Sequence, residues 1–124
     1  MAESTYQKLE VWRRARMLVK SIYILTKDFP KEELYALTNQ IRRAAVSIPS
    51  NIAERRAKRT TRDFMRFINM ACGSVAELET QLLIAEDLGY VSSAKIKPLL
   101  EESGAIGRML NAMFASLEKK LADL

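Results

Sequence analysis

Apolar residues recur along this chain in steps of three and four, the spacing that stacks side chains on one side of an α-helix. In the first stretch Val11, Ala15, Leu18, Ile22, Leu25 and Phe29 follow that rhythm, and Trp12, Val19 and Tyr23 widen the stripe. Phe29-Pro30 marks its end, because proline has no amide proton and pushes the residue before it toward extended backbone. A second helix is predicted from Leu34, Leu37, Ile41, Ala45, Ile48 and Ile52, with Glu32 and Glu33 at its positive N-terminal end. Pro49 interrupts that stripe, and predicts either a kink or a restart capped by Ser50 or Asn51, the kink being favoured.

Thr60 with Asp63 three positions on has the form of a capping box. From there Phe64, Ile68, Ala71, Val75, Leu78, Leu82 and Ala85 carry the rhythm without a break until Gly89-Tyr90. The last stripe, Ile96, Leu99, Ile106, Leu110, Met113, Leu117 and Leu121, starts near Ser92, Ser93 or just before Pro98. Gly104 and Gly107 inside it predict the close approach of a neighbouring backbone. Four amphipathic helices joined by short turns bury their stripes together as an all-α, antiparallel up-down-up-down four-helix bundle, a single domain over residues 1–124.

Composition then removes whole classes of chemistry. The 124 residues contain no His, so Ser-His-Asp, Cys-His and His-bearing metal sites all lack a member. The four glycines never fall into a phosphate-binding loop pattern. Glu77 and Glu79 stand two apart and point to different sides of a helix, and no spacing pairs Glu54, Glu77 or Glu79 for acid-base work. The expectation is a protein that is not an enzyme and holds neither metal nor cofactor. Cys72, the single cysteine, reads as a small packed thiol in a helix interior. The six methionines read as adaptable core filler. No charged and apolar leader opens the chain and no apolar run is long enough to span a bilayer, so a cytoplasmic protein without membrane association is expected.

Charge is where the sequence speaks about partners. The formal net charge of +5 is unevenly spread: +3 over residues 1–30, +5 over 31–62, −4 over 63–90 and +1 over 91–124. Arg55, Arg56, Lys58, Arg59 and Arg62 crowd together without an acid among them, and Arg42 and Arg43 lie upstream in the same quarter. Three readings fit such a cluster: a solvated charged face, contact with the phosphates of RNA or DNA, and an ion-paired subunit interface. Arg13 and Arg14 form a secondary basic pair. Tyr6, Tyr23, Tyr35 and Tyr90 are scattered over different segments, so an aromatic platform for stacking bases is not expected, and binding would be led by the phosphate backbone. Asn51 and Glu54 beside Pro49 can bond each other or serve amides and carbonyls released by the proline.

Several of these segments carry a resemblance. Leu9-Glu10-Val11-Trp12, the run from Gln40 through Ile48-Pro49-Ser50-Asn51-Ile52-Ala53-Glu54, Ala71-Cys72-Gly73-Ser74 with Glu77-Leu78-Glu79, and Leu88-Gly89-Tyr90 resemble a bacterial four-helix-bundle family first described as large-subunit ribosomal RNA intervening-sequence proteins. Pro49, Asn51, Glu54 and Gly73 are the structural positions of that motif set. The family is similar in turn to the accessory variability determinant proteins of diversity-generating retroelements, barrel-shaped homopentamers with a basic surface that bind nucleic acid and a reverse transcriptase. The resemblance therefore implies a homopentamer, nucleic-acid binding and, by analogy, a reverse transcriptase as partner. Where the family follows Asn-Ile-Ala-Glu with glycine, this chain has Arg55 and Arg56-Ala57, which are better helix formers and add positive charge. Repetition around a symmetry axis would amplify that potential. The alternative is an oligomeric protein-interaction scaffold in which the basic residues meet carboxylates of the Asp63–Asp87 segment in a neighbouring subunit.

Overall fold

The computed structural model describes residues 9–54 and 60–123. Four helices account for nearly all of them: α1 (Glu10–Thr26), α2 (Leu37–Ala53), α3 (Thr61–Asp87) and α4 (Ser93–Ala122). Each helix packs against its sequence neighbours and α4 closes the ring against α1. Direction follows from cross-contacts. Cys72 Sγ donates to Asn111 Oδ1 at 3.5 Å while Ser103 Oγ donates to Glu79 Oε2 at 3.0 Å. Residues later in α3 thus meet residues earlier in α4, as in an antiparallel pair. The predicted four-helix bundle is the observed architecture.

The stripes read from the sequence form the core. Val11, Ala15, Leu18 and Ile22 of α1, Ile41, Ala45, Ile48 and Ile52 of α2, the α3 series from Phe64 to Ala85, and Ile96, Ile106 and Leu110 of α4 make one buried cluster. Phe29, beyond the end of α1, also enters it and stacks at a tilt on Tyr90, with ring centroids 5.9 Å apart. The helix ends are closed as their residues demand. Thr60 and Asp63 form the full reciprocal capping box of α3, Ser92 caps α4 through the amide of Lys95, and Gly89 takes a left-handed φ of 79° after α3.

Two expectations need correction and one open alternative is decided. The second helix does not begin at Leu34: Pro30 opens a short 3₁₀ turn over Lys31–Glu33, and α2 starts only at Leu37. The two acidic residues lie before the helix, where Glu33 Oε1 accepts the Leu37 amide at 3.3 Å and its Oε2 accepts the Tyr90 hydroxyl at 2.7 Å. That double bond ties the α1–α2 connection to the α3–α4 turn, and it raises the Tyr90 pKa above its ordinary value, with burial adding to the effect. Second, of the two alternatives at Pro49 the restart at Ser50 or Asn51 is excluded: α2 runs on through the proline to Ala53 as one helix, as the favoured alternative requires. Third, Gly104 and Gly107 do not admit a neighbouring backbone. A Cβ on Gly107 would sit 3.6 Å from Val75 Cγ1 and one on Gly104 3.5 Å from an Arg108 nitrogen, both ordinary contacts.

Among the described residues no helix is long and apolar enough to cross a membrane.

Candidate nucleic-acid interface

The connection over residues 27–36 carries the chain from α1 through a turn before α2 begins. A cavity of about 520 Å³ opens there, lined by Tyr23 of α1, Leu34 and Tyr35 of the connection, and Asn39, Arg42, Arg43, Val46 and Ser47 of α2. Its centre is Arg42. The Arg42 Nε donates at 2.9 Å to Thr26 Oγ1, a buried hydroxyl that itself donates to the Ile22 carbonyl at 2.8 Å. The guanidinium also lies 4.6 Å from the centroid of the Tyr23 ring, a cation–π arrangement. Held on two sides, it has little side-chain freedom left to lose when a ligand arrives. Its two terminal nitrogens have no hydrogen-bond partner among the described residues and remain available to an acceptor.

Arg43 follows one position later, turned about 100° around the helix, and is exposed with no ion-pair partner among the described residues. Tyr35 is 90% exposed on the rim. No carboxylate lines the cavity. The site therefore presents two guanidinium groups, two tyrosines, two aliphatic side chains and the polar groups of Asn39 and Ser47. Such a set can hold anions and planar groups; it contains no base or thiol to transfer a proton or attack a bond.

The other basic residues separate by position. Arg62 is exposed in the first turn of α3 and Arg13 is exposed on α1. Arg14 is engaged instead: its Nε donates to Glu102 Oε2 at 3.0 Å, Nη2 pairs with Oε1 of the same carboxylate, and this partner raises its pKa. That bridge binds α1 to α4 and leaves Arg14 little role toward an external anion. Arg55, Arg56, Lys58 and Arg59 lie outside the described residues. The arginines thus divide into an open cleft and an internal bridge, a division that adjacency in sequence does not reveal.

The structural motif around Pro49 resolves into a polar seam. Asn51 Nδ2 donates to the Ser47 carbonyl at 2.8 Å and to Ser47 Oγ at 2.9 Å, and that hydroxyl meets Ser74 Oγ across the α2–α3 interface at 2.8 Å. Ser74 Oγ in turn reaches the Met70 carbonyl at 3.2 Å. The Asn51 side chain therefore serves the Ser47 carbonyl and hydroxyl and not the Ala45 carbonyl that Pro49 leaves without its amide, while Glu54 closes α2 as its C-terminal cap residue. Gly73 is exposed on α3, and a Cβ there would meet nothing within 4 Å. Burial pushes the Cys72 thiol up, so it is less nucleophilic than a free cysteine. Among the described residues no group of three or more Cys, Asp or Glu side chains is placed to hold a metal ion.

Sequence reasoning missed Tyr23 and Tyr35. The two rings come from different segments, and the turn that connects α1 to α2 brings them to one cavity; the expectation of no shared aromatic surface is corrected to that extent. The one local signal was a tyrosine at 35 beside Leu34, just after the Pro30 turn, where the apolar stripe needs no ring.

Comparison with known proteins decides the family. The model of the 23S rRNA-intervening sequence protein family matches residues 7–112, which span α1 to most of α4. The chain belongs to that family. No curated protein matches it. The intervening-sequence family match covers every residue that lines the cleft, so the cleft is part of the family domain in this chain and not an appended feature.

Proposed function

We propose that this intervening-sequence protein is a non-enzymatic, homo-oligomeric, cytoplasmic bundle that binds RNA or DNA through their phosphates, with the α1–α2 cleft at the centre of its binding surface. The observation that carries this reading is the pair Arg42 and Arg43 in a cavity without a carboxylate, one guanidinium fixed by Thr26 and Tyr23 and the other open to solvent. Fixed guanidinium groups match phosphate geometry, and release of condensed counterions supplies the driving force. α1 and α2 together carry six basic residues and one acidic residue, which extends positive potential beyond the cleft. The family's name supports an association with ribosomal RNA. Arg13, Arg62 and the cluster Arg55, Arg56, Lys58 and Arg59 are further contacts in this reading. The resemblance to accessory variability determinant proteins adds a five-fold assembly and, by analogy, a reverse transcriptase partner.

The test is fluorescence anisotropy with mixed-sequence RNA over a salt series. Affinity should fall steeply with salt, by a log–log slope of about 0.7 per phosphate contact on single strands, and a flat response sinks the proposal.

A second reading, the interaction scaffold, is favoured by α3. Met70, Gly73, Glu77 and Ile84 follow one another at helical spacing on its outer face, Met70 and Ile84 being large apolar side chains left exposed among five acidic residues of that helix. There the arginines would meet carboxylates of a neighbouring subunit. Charge-neutralising Arg42 and Arg43 should then dissociate the particle in light scattering, whereas the nucleic-acid reading expects an intact particle that has lost polyanion affinity.

A further inference from the structure

We infer that the α1–α2 cleft receives an unpaired nucleotide of a single strand, with Tyr35 as its stacking platform; this rests on the nucleic-acid reading above and names its substrate class. Phosphate binding alone needs basic groups on an open surface. This cavity has more: Tyr35 is 90% exposed with no ring or guanidinium partner among the described residues, and Leu34 and Val46, at 44% and 40%, leave an aliphatic wall beside it. An exposed ring next to an apolar wall gains by covering a flat, weakly hydrated face, and an unstacked base offers one. A duplex offers sugar, phosphate and the base edges in its grooves, but its base faces are already stacked.

The dimensions agree. A volume of about 520 Å³ lies within the roughly 300–1,000 Å³ range of clefts that take small ligands. Arg42, half-buried with two uncommitted nitrogens, and the exposed Arg43 both line the cleft. A base seated against Tyr35 would thus share the cleft with two cations that can meet its flanking phosphates. Tyr23 cannot serve equally, since the Arg42 guanidinium lies over its ring. Asn39 is the polar side chain available to a base edge, the Ser47 hydroxyl being engaged by Asn51 and Ser74. One such group gives contact without a full donor–acceptor code, so binding should tolerate all bases.

The experiment uses the full chain, a labelled short mixed-sequence RNA, and the same RNA annealed to its complement. Y35A should weaken single-strand binding by about five- to 150-fold, the alanine-scan range for one stacked base. Duplex affinity and the salt slope should stay unchanged, and Y35F should retain single-strand binding. R43Q should weaken both ligands and lower the salt slope. If Y35A has no effect, or weakens single strand and duplex equally, the base pocket is wrong while the R43Q result still supports phosphate binding. If R43Q also changes neither affinity nor slope, the phosphate reading falls with it. If Y35A instead reduces particle mass in light scattering, a second copy of the chain covers the cleft and the inference is overturned.

Discussion

The two hairpins of this bundle share one architecture and differ at their outer grooves. Between α1 and α2 the cavity is about 520 Å³, with two arginines and no carboxylate among its described residues; between α3 and α4 the space is divided into one cavity of about 220 Å³, which includes Glu79 and Arg108, and one of about 350 Å³, which includes Glu86, Lys97 and Glu101. The difference begins in the connections. Residues 27–36 must pass Pro30 and a 3₁₀ turn before α2 can start, which places Leu34 and Tyr35 outside the stripe. Residues 88–92 close with one left-handed glycine and a serine cap, so α3 and α4 meet directly. Charge follows the same division: α1 and α2 are almost wholly basic, while α3 sets five acidic residues against two basic ones. Packing one face of a helix thus leaves its outer face free to acquire a different character.

The strongest way to break the contrast is to remove the interface that joins the hairpins. Ile48→Ala deletes a fully buried side chain of α2 and should cost about 2–5 kcal/mol. Urea denaturation should show that loss, with both grooves lost in a single transition. Next, the double variant R42Q/R43Q should reduce RNA affinity on the order of tenfold and lower the salt slope by about 1.4, two single-strand phosphate contacts. Arg108→Gln, which removes one positive charge from the other groove, should leave both quantities as they were. An equal loss from Arg108→Gln would mean that net charge, not the cleft, attracts the polymer.

Smaller changes sharpen the comparison on the α3 side. Thr60→Ala removes one half of the capping box and should cost about 1 kcal/mol, measurable as a lower melting temperature with RNA affinity intact. Gly73→Ala should stabilise the chain by up to about 1 kcal/mol, because the glycine is helical, exposed and met by nothing within 4 Å. If it instead weakens a larger particle in sedimentation, a neighbouring copy lies against that face, as the scaffold reading requires.

Much of the fold was legible because periodicity is a one-dimensional record of burial. Each apolar stripe names the face that must leave water, and Thr60 with Asp63, Ser92 and Gly89 name three of the boundaries. The start of α2 was misread for a physical reason as well. Leu34 fits the stripe by spacing, yet the preceding proline and the Glu33 bond to the Leu37 amide favour a turn over another helical residue there.

The basic residues were visible as residues but not as a site. Arg13 and Arg14 are adjacent in the chain, and one is exposed while the other is bridged to Glu102. Arg42 and Tyr23 are far apart in the chain and lie in contact. Sequence alone determined the helices, their buried faces, the excess of positive charge in the first half and the missing histidine chemistry, since each depends on residue type and local spacing. Only the tertiary structure decided which arginines are neutralised and which tyrosines share a cavity. Those properties depend on distances between segments, and distances are set by how the four stripes close on one another.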